Sequence, residues 1–354
     1  MDKKSHSGIN GKYLLKKKFR FSEFFAESII KSVAFVSFAV IILIFVFVFR
    51  EAIPIFYSAE EKVVNTEKEF IQETYGEDES TSLKIDRGIR KSLEETDYEG
   101  EATFKNLTGK EWQPVSQNPK YGILPLIVGT FKVTMISVLV AAPISILAAL
   151  FTAVFATKRL KEVMKPVMEI LSGFPSVVIG FFALVAIATF LQNMFGYDFR
   201  LNAFVGGVAL SLAVIPIIYT VTDDALTSVP KFMTEASLAL GATKWQTALF
   251  VVLPAATPGV FAAVLLGVGR AFGETMIVLM ATGNASLMSL DIFEPVRTLS
   301  ATIGAEMAEV VFGDTHYNVL FLIGSILFIF TFTLNAIAEF YVRQKLLKRF
   351  RGVS

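Results

Sequence analysis

The sequence predicts an all-α polytopic membrane protein with six transmembrane helices. Three observations carry that expectation. The 354 residues are 53% hydrophobic and only 18% charged, with 34 phenylalanines and a mean hydropathy of +0.58; a water-soluble protein this apolar would expose large greasy patches. The apolar residues gather into runs near the ~20 residues a helix needs to cross the hydrocarbon. Lysine and arginine gather in alternate loops, as the positive-inside distribution requires.

Taken in order, the first run is Ser32–Phe49, bracketed by Lys31 and Arg50. Its length, and the poor cleavage sequence Arg50-Glu51-Ala52-Ile53-Pro54 after it, mark a retained anchor rather than a removed signal peptide. Before it, Lys17–Ser28 mixes basic residues with Phe19, Phe21, Phe24 and Phe25, the pattern of an interfacial helix or of an ordinary basic flank. The remaining runs are Val133–Ala156, Ile170–Phe190, Leu201–Tyr219, Pro258–Met280 and Val319–Ile337. Pro143, Pro175 and Pro216 fall inside them, which membrane helices tolerate where neighbours satisfy the freed carbonyls.

With six spans the basic N-terminus, the loop bearing Lys158, Arg159, Lys161 and Lys165, and the tail from Arg343 to Arg351 share one face. That face is the cytoplasmic one, with both termini inside. The organisation expected is residues 1–50 as basic N-terminus and first helix, and 51–121 as an extracytoplasmic segment. Residues 122–342 form the five-helix membrane domain, and 343–354 a basic tail. The outer segment is acidic ("EKEFIQETYGEDES"), a poor first contact for an anion and a better solvated spacer or protein-docking surface; Leu83–Leu93 within it is helix-prone.

Composition also excludes. The chain has no cysteine and two histidines, His6 and His316, so thiol chemistry, disulfides and cysteine- or histidine-rich metal sites are ruled out. It contains no HExxH and no G-x-x-x-x-G-K-[ST] phosphate loop. If ATP drives this protein, another polypeptide binds it.

The longest loop on the cytoplasmic face, residues 228–254, carries a helix-prone stretch at Phe232–Leu240, an interrupting Gly241, and a second helical stretch through Trp245 to Leu253-Pro254. A helix–glycine–helix at a membrane surface makes a docking knob, with glycine permitting the bend. "EASLALGATKWQTALFVVLP" resembles the EAA loop of ABC importer permeases, E-A-A-x3-G-x9-I-x-L-P. Glu235, Ala236, Gly241, Leu253 and Pro254 match; Ser237 and Val251 stand at the two departures. The resemblance implies that these residues form coupling helices seated on a separate ATPase.

Similarity extends further. "ILSGFPSVVIGFFAL" (Ile170–Leu184), "LGVGRAFGETMIVLMATGN" (Leu266–Asn284) and "TLSATIGAEM" (Thr298–Met307) resemble segments of phosphate-importer permeases, and "WQPVSQNPKYGILPLI" from Trp112 resembles the approach to their second span. The chain is thus similar to phosphate ABC transporter permeases of the PstC type, a type I importer fold, over about two-thirds of its length. That resemblance implies a non-enzymatic subunit of a bacterial-type cell membrane. Its partners would be a second permease of the PstA type, an ATPase dimer of the PstB type that holds ATP and Mg, a phosphate-binding protein of the PstS type, and membrane lipid, with no nucleic acid. No cofactor is expected on this chain.

Within "GVGRAFGETMIVLM", Arg270 and Glu274 stand four apart in an apolar run, where an i,i+4 pair shares one helical face. An intramembrane charge costs about 3 kcal/mol on insertion scales and marks a bundle interior, cavity or pathway. A guanidinium offers a planar fork of donors suited to an oxyanion, and the resemblance implies that this Arg and Glu matter for transport. The competing reading is a self-neutralising structural pair. Thr275 is a further candidate for the path. Sulfate or molybdate would suit the same chemistry, and a secondary transporter or channel working without ATP is the alternative that the EAA loop opposes.

Overall fold

In the computed structural model, the described residues are 21–56, 104–116 and 118–351. They fall into two compact units, residues 1–47 and 48–354. Helix α1 (Phe21–Ala52) makes up the described part of the first, and its last turn belongs to the second. Residues 1–20, and most of 51–121 including Leu83–Leu93, lie outside the described residues.

After the last turn of α1, the described part of the second unit continues with a short turn, α2 (Phe104–Leu107), and an antiparallel pair of two-residue strands, β1 (Trp112–Gln113) and β2 (Lys120–Tyr121). Helix α3 (Leu124–Leu150) continues through a π-helical turn, Phe151–Phe155. Then come α4 (Lys158–Ser172), α5 (Ser176–Phe182), a second π turn (Ala183–Ile187), α6 (Ala188–Phe195) and α7 (Ala203–Thr227). Helices α8 (Lys231–Ala239) and α9 (Lys244–Thr247) precede a third π turn (Ala248–Val252) and α10 (Leu253–Phe272). The chain ends with α11 (Met276–Ala281), α12 (Leu299–Glu306) and α13 (Thr315–Arg351).

Six helical stretches among the described residues are long and apolar enough to cross a membrane: Glu27–Phe56, Leu124–Phe155, Ser176–Phe195, Ala203–Thr227, Lys244–Phe272 and Thr315–Phe340. Their number is as expected, but several ends differ from the hydropathy reading. The second span starts at Leu124 rather than Val133, because Pro125 sits in its first turn, where a fixed φ and a missing N–H suit helix initiation. The third span starts at Ser176 rather than Ile170. Residues 170–172 instead end the amphipathic α4, which Thr157 opens by accepting a bond from Leu160 N, and Pro175 precedes the span instead of lying within it. The fifth span starts at Lys244 and stops at Phe272, well short of Met280.

Helix α7 lies at the centre, packed against α3, α10 and α11. Its Val205, Ala209, Leu210, Val214 and Ile218 are fully buried. Close approach is built on small residues, the usual means of helix association where lipid removes the hydrophobic drive between spans. A Cβ on Gly267 of α10 would lie 2.6 Å from Ile218 Cγ1, and one on Gly180 of α5 would lie 3.1 Å from the Met276 carbonyl oxygen. A second core joins Leu107, Trp112, Tyr121 and Ile123 to Phe272, Leu299, Val319 and Leu320. The residues just before the second span therefore pack into the membrane unit. Large apolar side chains face outward on the spans, among them Leu139, Leu147, Phe181, Phe182 and Phe190.

Candidate functional site

Helix α10 carries Arg270 in its last turn and ends at Gly273. Glu274 and Thr275 lie outside any helix, and the ladder resumes where Leu279 N donates to the Thr275 carbonyl at 2.9 Å. Arg270 and Glu274 therefore do not share one continuous helix. They still pair, with Arg270 Nη2 3.5 Å from Glu274 Oε2.

The pair is asymmetric. The Glu274 side chain is 7% exposed and the Arg270 side chain 52% exposed. The guanidinium lines a cavity of about 210 Å³ together with Ser172, Phe174, Ser176, Ile179, Ala213 and Ile217. That volume is far more than the ~15 Å³ a single water requires. At 3.5 Å the ion pair is longer than a charge-assisted hydrogen bond of about 2.8 Å, so it leaves most of the five guanidinium donors unspent. A buried carboxylate thus holds a half-exposed cation that lines a cavity in which two serines stand among apolar side chains. Thr275 faces elsewhere: a Cβ on Gly304 would lie 2.5 Å from Thr275 Cγ2, so its methyl packs on α12.

The segment after the break is held by α12. Ser300 Oγ donates to the Glu274 carbonyl at 2.7 Å in a buried contact. Thr298 caps the helix by accepting from Ala301 N, and Leu299 N donates to Thr130 Oγ1 of α3 at 3.0 Å. At the other end of α12 the Glu306 carboxylate accepts from Trp112 Nε1 at 3.1 Å and from Arg297, and lies 2.9 Å from His316 Nε2. Arg297 also donates through Nε to the Asn284 carbonyl at 3.1 Å. Tyr121 packs edge-on to Trp112; burial, reinforced by Asp314, pushes its phenol up to about 12, so it stays neutral and adds no charge to the network. Sequence reasoning missed Ser300 and this network. Its traces were the hydroxyl-rich "TLSAT" run and the use of one of only two tryptophans and one of only two histidines.

The loop at 228–254 folds as its pattern implies. Gly241 adopts φ +87°, the left-handed region in which glycine carries no Cβ penalty. Thr243 and Gln246 close a capping box at the start of α9, satisfying two amide donors reciprocally. Ser237 and Thr247 hydroxyls meet at 2.9 Å, tying α8 to α9, and Trp245 packs 5.9 Å from Phe155. Glu235, Ala236 and Gly241 are exposed on this knob beside Phe232, Leu240 and Trp245. Leu253 and Pro254 stand apart from it, in the first turn of α10.

Residues 141–346 match the profile of the binding-protein-dependent transport system inner membrane component family. The chain belongs to that family. The permease is 37% identical over 253 residues to the probable ABC transporter permease protein YqgH of Bacillus subtilis, covering 72% of this chain and 82% of that protein. It is 33% identical over 260 residues to the phosphate transport system permease protein PstC of Mesorhizobium japonicum, covering 68% and 79%. A chain of the inward-facing MetNI methionine ABC transporter overlaps 63% of the permease at 20% identity and a TM-score of 0.45. The permease is thus an ABC-importer membrane subunit that pairs with a nucleotide-binding partner, a multi-pass protein with six helices among the described residues long and apolar enough to cross a membrane.

Proposed function

We propose that this permease imports inorganic phosphate, forming the translocation path with a second, homologous permease. ATP and Mg act on a partner ATPase dimer, and an extracytoplasmic binding protein delivers the substrate. The observation that carries the reading is the Arg270 guanidinium opening onto the cavity while its countercharge, Glu274, is buried. Phosphate brings one to two negative charges and tetrahedral oxygens, which a planar fork of donors with neighbouring hydroxyls accommodates. Ser172 and Ser176 supply hydroxyls on the same cavity wall. The relatives named as phosphate permeases support this substrate over other oxyanions.

Glu274 keeps the site from becoming a trap. An arginine without a countercharge would hold a phosphate more tightly, whereas a carboxylate at 3.5 Å competes for the guanidinium and lowers its net attraction. The partner ATPase docks on the α8–Gly241–α9 knob, whose exposed Phe232, Leu240 and Trp245 offer an apolar contact of the kind that marks protein-binding surfaces.

The test is uptake of labelled phosphate, sulfate and molybdate by vesicles containing the assembled complex. ATP-dependent uptake of phosphate is expected, and Arg270→Ala or Glu274→Ala abolishes it with the complex still assembled in the membrane. Wild-type uptake by both variants would sink the pathway role. A preference for sulfate or molybdate would overturn the substrate.

A further inference from the structure

Ser300 is on α12, remote in sequence from the charged pair, yet it touches a backbone group that the break after the fifth span leaves outside the helical ladder. The ladder restarts at the Thr275 carbonyl, so the Glu274 carbonyl has no place in it. Inside a bilayer an unsatisfied carbonyl is costly, and broken helices persist only where a neighbour supplies the missing partner. The Ser300 hydroxyl supplies it, 2.7 Å away and buried.

Ser300 and Gly304 are four residues apart and so share one face of α12. One bonds the Glu274 backbone and the other receives the Thr275 methyl. Two successive residues of the break are therefore seated on two successive turns of one helix. That helix is itself fixed at both ends, by the Thr130 and Thr298 hydroxyls and by the Glu306 network.

We propose that Ser300 is a positioning residue for transport: by holding the Glu274 backbone in its non-helical course, it sets where the Glu274 carboxylate meets Arg270 and hence how the guanidinium faces the cavity. The proposal rests on the transport role of the pair, so its test includes a readout that does not depend on transport. The chain has no cysteine, and Gly273, in the break, is exposed, with the Gly269 carbonyl oxygen in ordinary contact at 3.8 Å from its Cβ position. In the assembled complex, Gly273→Cys is labelled with a water-soluble maleimide in chains bearing Ser300, Ser300→Ala or Ser300→Thr. Phosphate uptake is measured per assembled complex for the three residues at position 300 in chains that keep Gly273.

Losing a buried hydrogen bond to the break shifts its conformational equilibrium by about tenfold. Ser300→Ala is therefore expected to change the labelling rate, and to lower the maximal uptake rate, by about that factor. The half-saturating phosphate concentration stays unchanged, and Ser300→Thr, which keeps the hydroxyl, restores both readouts. Equal labelling rates in all three chains would overturn the proposal, as would wild-type uptake by Ser300→Ala. Failure of Ser300→Ala to assemble would also overturn it, by making the hydroxyl a folding requirement only. If the unaltered complex moves no phosphate, the substrate reading fails while the labelling result still decides the role of Ser300.

Discussion

Glu306→Leu removes the centre of a buried polar network, and the structure sets the size of the loss. Glu306 and Arg297 side chains are 16% and 19% exposed, so neither ion falls back on bulk water when its partner is deleted. Deleting one member of such a pair costs about 3–5 kcal/mol, chiefly as an uncompensated buried charge, and the residual exposure places this case near 3. Trp112, 2% exposed, loses the acceptor for its indole N–H, adding about 1 kcal/mol. The sum, about 4 kcal/mol, is roughly a thousandfold shift in the folded-to-unfolded ratio.

Because the loss comes mostly from the orphaned guanidinium, removing it as well should recover much of the stability. Arg297→Leu/Glu306→Leu is expected to be more stable than Glu306→Leu alone, with a coupling of about 2 kcal/mol in the double-mutant cycle. The assay is denaturant unfolding of the purified full-length chain in detergent, followed by tryptophan emission, since Trp112 is one of two tryptophans and loses its hydrogen bond in both variants. Strict additivity of the two single substitutions would refute the reasoning, because it would mean that Arg297 and Glu306 do not act as a unit.

Two further outcomes concern the 228–254 loop and the helix end beside it. Gly241→Ala forces a Cβ onto a residue at φ +87° and costs about 1 kcal/mol of loop geometry; co-purification of the ATPase should weaken, and Gly241→Asn should be milder, whereas unchanged recovery with Ala would remove the bend from the docking account. Lys165 Nζ lies 3.9 Å from Asp223 Oδ2, with Asp223 5% and Lys165 60% exposed, and Asp223 Oδ1 is buried without a hydrogen-bond partner among the described residues. Lys165→Met should therefore destabilise the chain by about 1 kcal/mol, discounted for the exposed lysine, and Asp223→Asn in the same chain should restore stability in the unfolding assay. A further loss in the double variant would show that the carboxylate does not need its cation.

The spans were legible because hydropathy integrates over twenty residues and forgives local error. Their ends were not. Pro125 initiates a helix that a hydropathy window reads as loop, and α4 hides in a basic loop because its charges lie on one face with Val163, Val167 and Ile170 on another. The bend of the 228–254 loop was legible because a left-handed glycine is a local feature, whereas the Thr243–Gln246 capping box, equally local, was not read from the sequence. The Glu306 network was not legible for the opposite reason. Its members, Trp112, Arg297, Glu306 and His316, are up to 204 positions apart (316 − 112), and no local rule brings a tryptophan to a distant carboxylate.

The charged pair shows what a locally correct inference leaves out. The i,i+4 spacing correctly foretold an ion pair, but for a helix that does not exist: the chain breaks between the two charges. A continuous helix would move Arg270 and Glu274 together, and their separation would carry no information about the rest of the molecule. With the break, Arg270 belongs to α10, whose first turn follows the docking loop, while Glu274 is bonded to α12, which the Glu306 network ties to Trp112. The 3.5 Å ion pair links the last turn of α10 to the segment held by α12, beside the core in which Phe272 packs with Trp112 and Leu299. A displacement of α10 against α12 therefore changes the Arg270–Glu274 separation, which a continuous helix would hold fixed.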